Sequence, residues 1–119
     1  SNVCGKLLPN TTNAECLKAM FPAGSMTGAP KIKAIEIANE LEKTQRGIYS
    51  GCLGVIENST NFDLSVVIRT IIVEGNKFEF QVGGGIVFDS NPQKELEETI
   101  VKAKPILHTL GLNCDDVFK

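Results

Sequence analysis

The sequence contains no run of the ~20 apolar residues that a membrane-spanning helix needs. It opens with no basic stretch followed by an apolar core, the pattern of a secretory leader. No membrane partner is expected, and a cytoplasmic setting is expected from the cysteine usage below. There is no long run of one charge. Twelve basic and fourteen acidic residues are mixed along the chain, for a net charge of −2. That balance lacks the basic footprint of a nucleic-acid-binding protein. There is no CxxC pair. Cys4, Cys16, Cys52 and Cys114 are widely spaced, so free thiols are expected rather than a zinc site or a disulfide framework. His108 is the only histidine. With no second histidine and no nearby cysteine, it reads as a surface or packing residue. There is no internal repeat and no low-complexity tract. The chain begins at Ser1 without a methionine, which fits a processed chain or a piece of a longer one.

What is present is ordinary in amount: 119 residues, 42% hydrophobic and 22% charged, the composition of one soluble domain. Residues 1–11 read as an irregular lead-in. Thr12 followed by Glu15 is a capping box, which predicts a helix over about 12–20. Residues 22–31 are a small-residue loop. Pro30 suits the first turn of a second helix running to about Glu42, with Ile32, Ile35, Ala38 and Leu41 as its apolar stripe. The middle reads as strands at Tyr49–Ile56, Asp63–Glu74 and Lys77–Val87, with turn chemistry at residues 57–61 and at Gly75-Asn76. Together these suggest an antiparallel meander. A last helix follows residues 89–92, with Ser90 and Gln93 in a capping-box pattern. Leu96, Ile100, Ala103 and Leu107 form its apolar face, and Pro105 is expected to kink or restart it. The class is α+β, an antiparallel sheet with helices packed on one side.

Three features stand out chemically. Arg69 sits among Val67, Ile68 and Ile71 in the long strand. A guanidinium there is costly to bury unless an anion meets it. It is either an exposed or salt-bridged residue, or a bidentate clamp for a ligand carboxylate. Gly83-Gly84-Gly85 weakens a strand and makes sense where another group approaches the backbone closely. It is either a bend or a place where backbone N–H groups meet an anion. It is not a dinucleotide fingerprint, and GSMTGAPK is not a P-loop, because the GK[ST] ending is missing at the required spacing. Third, Glu95, Glu98 and Lys102 project from one side of the last helix, away from its apolar face. They are either a solvated face with an ordinary Glu98–Lys102 pair, or two hard carboxylates suited to Mg²⁺ with a cation beside them. Tyr49 precedes a glycine-rich strand and can pack or hydrogen-bond.

Four segments in order carry more than any one of them: FPAGSMTGAPK at 21–31, RGIYSG at 46–51, DLSVVIRT at 63–70 and VGGGIVFDSNPQKELEETIVKAK at 82–104. This series resembles the carboxyl-terminal part of the chorismate-utilising enzymes. That family includes component I of anthranilate synthase and of aminodeoxychorismate synthase, isochorismate synthase and salicylate synthase. The resemblance covers roughly Val3 to Leu112 and about the last half of the family's catalytic domain. It implies that the chain, 1–119, is an incomplete portion of the larger chorismate-binding, anthranilate synthase component I-like fold. It implies a chorismate substrate held with Mg²⁺. By resemblance Arg69 binds a chorismate carboxylate, Gly83 to Gly85 offer backbone N–H groups, and Tyr49 lies beside the substrate. Glu95 and Glu98 belong to the magnesium shell, Lys102 faces the substrate anion, and Ser25 and Thr27 are hydroxyl contacts. The SMTGAPK and GGGIV segments resemble aminodeoxychorismate synthase, the amination route to p-aminobenzoate and folate with ammonia from a glutamine amidotransferase partner. Anthranilate synthase is the alternative, followed by isochorismate or salicylate synthase. From a different class, a non-catalytic ligand-binding domain is the other alternative. The family's acid–base groups and the rest of its metal site lie upstream of this stretch, so the chain alone is expected to be inactive.

Overall fold

The computed structural model describes residues 2–58 and 61–118. Helix α1 spans Asn13–Met20 and opens on the expected capping box. Thr12 Oγ1 accepts from the Glu15 backbone N–H, and Glu15 accepts in return from the Thr12 backbone N–H. A one-turn helix, α2, spans Gly24–Thr27 inside the small-residue loop. Helix α3 spans Lys31–Leu41, with Pro30 at its N-cap rather than in its first turn. Four strands follow: β1 at Cys52–Ile56, β2 at Phe62–Val66, β3 at Ile71–Glu74 and β4 at Lys77–Phe80. Helix α4 spans Pro92–Thr109, and a last turn, α5, spans Cys114–Val117. The class is α+β. The expected turn at residues 57–61 is closed by Glu57 N–H donating to Asn61 C=O, while Ser59 and Thr60 lie outside the described residues.

The strands form two separate antiparallel ribbons, β1–β2 and β3–β4, rather than one meander. The expected strand at residues 63–74 is interrupted. Val67 still pairs, donating to Gly51 C=O at 3.0 Å and accepting from Ser50 N–H at 2.9 Å. Ile68 N–H then turns back to Val66 C=O, and Arg69 takes φ +51°. A left-handed residue reverses the chain, so the strand alternation restarts at Ile71. The first expected strand begins at Cys52, leaving Tyr49 in a turn. The third ends at Phe80, so the glycine run follows a strand instead of lying inside one. β3 and β4 join through Gly75, whose φ of +60° suits a two-residue hairpin turn.

Asn91, not Ser90, caps α4: its side chain accepts from Lys94 N–H at 3.1 Å. The helix runs through Pro105 to Thr109 without interruption. Ala103, Ile106 and Leu107, its three buried residues, flank the proline. Their packing offsets the missing backbone bond, since tertiary burial supplies most helix stability. Among the described residues these three and Val67 are the whole buried apolar core. The expected α3 stripe is largely open, with Ile32 and Leu41 about three quarters exposed. The radius of gyration is 17.1 Å, against about 13.5 Å for a compact chain of this length. No helix among the described residues is long and apolar enough to cross a membrane, and all four cysteines are free.

Candidate functional site

Tyr49 is placed by a turn with no strand or helix of its own. Just past α3, Arg46 grips Glu42 with two guanidinium nitrogens, Nε donating to Oε2 at 2.7 Å. This bond holds the Glu42 carboxyl below its ordinary value and the Arg46 guanidinium above its own. Gly47 takes φ +58°, and Tyr49 N–H closes the turn on Arg46 C=O at 3.0 Å. Ser50 follows at φ +67°, buried, its Oγ without a hydrogen-bond partner among the described residues. Two left-handed non-glycine residues, Ser50 and Arg69, thus stand on either side of the Val67 bridge. Backbone of that kind persists only where surrounding structure enforces it.

The Tyr49 hydroxyl reaches the glycine run. A Cβ added at Gly83 would stand 2.9 Å from it. A Cβ at Gly84 would stand 3.2 Å from Glu95 Oε2 and 3.9 Å from Thr99 Oγ1, while at Gly85 nothing lies within 4 Å. The close approach anticipated for the triple glycine therefore exists at Gly83 and Gly84 and not at Gly85. The α4 side is tied to the same run. Lys102 Nζ donates to Gly83 C=O at 3.2 Å and pairs with Glu98 Oε1 at 2.6 Å. Ser90 Oγ donates to Glu95 Oε1 at 2.8 Å and accepts from Val87 N–H at 3.1 Å. Tyr49, Gly83, Gly84, Glu95, Glu98 and Lys102 thus form one connected set.

Arg69 joins through a groove of about 450 Å³, lined by Arg69, Ile71, Lys102, Pro105, Ile106 and Thr109 among others. Arg69 is exposed, and no carboxylate among the described residues pairs with it. The groove therefore presents Arg69, without a described carboxylate partner, and the Glu98-paired Lys102 against apolar walls, an arrangement that can take a small organic anion. A second groove, about 470 Å³, lies between α3 and the Tyr49 turn and includes Thr27, Tyr49 and Ser50. Thr27 Oγ1 contacts Ala23 C=O and Gly28 C=O at 3.4 and 3.3 Å. Ser25 is exposed and lines neither groove. Among the described residues no three His, Cys, Asp or Glu side chains gather as a metal site.

The family model described as chorismate binding enzyme matches residues 1–108. The chain belongs to the chorismate-binding enzyme family. Within that family, it is 46% identical over 112 residues to anthranilate synthase component 1 of Spirochaeta aurantia, covering 94% of this chain and 23% of that one. It is 45% identical over 108 residues to anthranilate synthase component 1 of Neisseria meningitidis serogroup B, covering 91% and 22%. Aminodeoxychorismate synthase of Streptomyces griseus is 43% identical over 110 residues, covering 92% and 15%. The chain thus spans less than a quarter of the length of each.

Three side chains that the motifs did not single out serve the same region. Ser90 reads as a helix cap in sequence but is bonded to Glu95. Thr99 donates to Glu95 C=O at 2.9 Å and borders Gly84. Gln81 reaches back across the fold to the Tyr49 turn. Thr99 stands one helical turn from Glu95, a spacing legible in the sequence, whereas Ser90 lies ahead of α4 and its bond to Glu95 is not. Nothing in the sequence marked Gln81.

Proposed function

We propose that the protein carrying this chain aminates chorismate at C2 with ammonia delivered by a glutamine amidotransferase partner, the C4 hydroxyl leaving as water and the enolpyruvyl side chain leaving as pyruvate to give anthranilate. The observation that supports an anionic substrate best is Lys102, which bonds the glycine run and Glu98 and lines the Arg69 groove, while anthranilate as the product is favoured by the Spirochaeta and Neisseria relatives. Chorismate carries two carboxylates, and this region offers two cations with backbone donors near them. In this reading Arg69 clamps one carboxylate, and Lys102 faces the anion from α4. The N–H groups of the Gly83 to Gly85 run face a carboxylate, and side chains at Gly83 and Gly84 would crowd the Tyr49 and Glu95 groups beside it. Tyr49 lies beside the substrate, and Thr27 sits at the edge of the Tyr49 groove. Ser25 contributes only if substrate extends beyond both grooves.

Glu95 and Glu98 fit a magnesium shell by chemistry. Both are hard oxygen donors one turn apart on α4, and Mg²⁺ is commonly held by one or two carboxylates with water and substrate oxygens completing six positions. When bound, the ion would neutralise charge near the ring carboxylate and so help the C4 hydroxyl leave. Ser90 orients Glu95 for that role, and Lys102 fixes Glu98. With less than a quarter of each relative's length present, the 119-residue chain alone is catalytically incomplete in this reading. Four free cysteines support a reducing, cytoplasmic setting.

A second reading, 4-amination toward p-aminobenzoate and folate, is favoured by the SMTGAPK and GGGIV segments and by the Streptomyces relative. The test uses the full-length protein with chorismate, Mg²⁺ and ammonium, the products separated by chromatography. Fluorescent anthranilate supports the first reading, and a 4-amino product replaces it with the second. Unconsumed chorismate overturns both. Turnover by the 119-residue chain overturns its incompleteness.

A further inference from the structure

We infer that Gln81 is a positioning residue that sets the Tyr49 hydroxyl against Gly83; this rests on the proposed role of Tyr49 beside chorismate. The Tyr49 turn needs outside support, since it belongs to no helix or strand. On one side it hangs from the β1–β2 ribbon through the Ser50–Val67–Gly51 bonds. Those bonds do not reach the glycine run. Gln81 does, because it is the first residue after β4 and lies two positions before Gly83. Its Nε2 donates to Arg46 C=O at 2.9 Å and to Gln45 C=O at 3.4 Å.

Arg46 C=O is the acceptor that Tyr49 N–H also uses, at 3.0 Å. A carbonyl has two lone pairs, so one oxygen serves both donors. Gln81 therefore bonds the same oxygen that closes the Tyr49 turn. Among the described residues no other side-chain hydrogen bond connects this turn to residues 81–85. The chemistry is specific to an amide. Two carbonyl oxygens face the carboxamide nitrogen, and its two N–H bonds can serve both. A carboxylate in that place would set oxygen against oxygen, and a thioether would leave the carbonyls with no donor. Gln81 does not line either groove, whereas Gln45, Arg46 and Tyr49 all line the second, so its effect on substrate passes through the turn it bonds, and the Tyr49→Phe background separates the share carried by the Tyr49 hydroxyl.

The test is a double-mutant cycle in the full-length protein, read as KM for chorismate and kcat separately. Gln81→Met keeps length and removes both donors. It is expected to raise KM about tenfold, the scale of one lost hydrogen bond, with kcat changed less. In a Tyr49→Phe background, where the hydroxyl is already gone, the same substitution is expected to raise KM less than about twofold, the mark of residues acting as one unit. Gln81→Glu, of the same size and polar, serves the same comparison if Gln81→Met does not fold. Equal KM rises in both backgrounds, or a loss of melting temperature with unchanged KM, overturn the inference and leave Gln81 a stability contact. Tyr49→Phe without effect on KM, in a wild-type protein that turns chorismate over, overturns the role of Tyr49 and the inference built on it. Wild-type protein that does not use chorismate overturns the functional reading instead.

Discussion

At the scale of single residues, the glycine run makes a graded prediction. A methyl group at Gly83 would meet the Tyr49 hydroxyl at 2.9 Å, and one at Gly84 would meet the Glu95 carboxylate at 3.2 Å. One at Gly85 would meet nothing within 4 Å. Gly83→Ala in the full-length protein should therefore cost about ten- to hundredfold in kcat/KM, the scale of an ångström-level misplacement at a reacting site. Gly84→Ala should cost less, since a carboxylate end can shift by a few tenths of an ångström. Gly85→Ala should lie within about twofold of wild type by the same geometric argument. Steady-state kinetics with chorismate checks the order, and an equal loss at all three would show that the backbone conformation matters rather than these contacts. The Glu42–Arg46 pair gives a pH prediction. Its carboxyl titrates below the ordinary 4.5, chiefly through the Arg46 hydrogen bond. A lowered carboxylate stabilises the fold above its unfolded value and loses that contribution as pH falls through its folded value. Glu42→Gln should thus cost ~0.3–0.5 kcal/mol near neutral pH, the range for i,i+4 surface pairs. The difference should begin to shrink as pH drops below 4.5 and vanish below the lowered folded value. Chemical denaturation at a series of pH values measures it.

At the scale of elements, Gly54 decides whether β1 and β2 can pair. It stands opposite Leu64, and a Cβ there would fall 1.9 Å from Asp63 C=O, a backbone atom that cannot step aside. Gly54→Ala should destabilise by about 1–3 kcal/mol or more, as overpacking does, visible as a lower melting temperature. Because Val67 continues that ribbon to Ser50 and Gly51, the same change should loosen the Tyr49 turn and raise KM for chorismate. Unchanged stability would mean that the ribbon is not built as described. The capping box at Thr12, the α3 span and the start of α4 were legible because caps and helical spacing are local. The break at Arg69 was not. Residues 63–74 are rich in branched side chains and favour an extended chain. What interrupts them is Val67 pairing with Ser50 and Gly51, a contact between distant segments. Pro105 does not restart the helix, because burial on both sides of it holds α4 together.

At the scale of the whole molecule, the accessible surface is 10036 Å². A compact chain of this mass would expose about 6,300 Å². The excess includes apolar side chains. Leu53, Val55 and Ile56 on β1 are all more than half exposed, as are Ile86, Val87 and Phe88 after the glycine run. Patches of this kind associate. The isolated 119-residue chain should therefore self-associate at micromolar concentration, which sedimentation velocity reports directly. A monodisperse monomer would contradict it. Residue order and local pattern were enough for the family, the α+β class, the Thr12 cap and most of the residues gathered about the glycine run. They sufficed because motif order, capping and periodicity are carried by neighbours along the chain. Tertiary structure alone decided that the long strand breaks at Arg69. It also decided that Gly83 and Gly84, but not Gly85, are crowded, that Lys102 bonds the glycine run, and that Gln81 holds the Tyr49 turn. Each of these depends on atoms brought together by folding from segments far apart in the chain, and no local pattern of residue types encodes such distances.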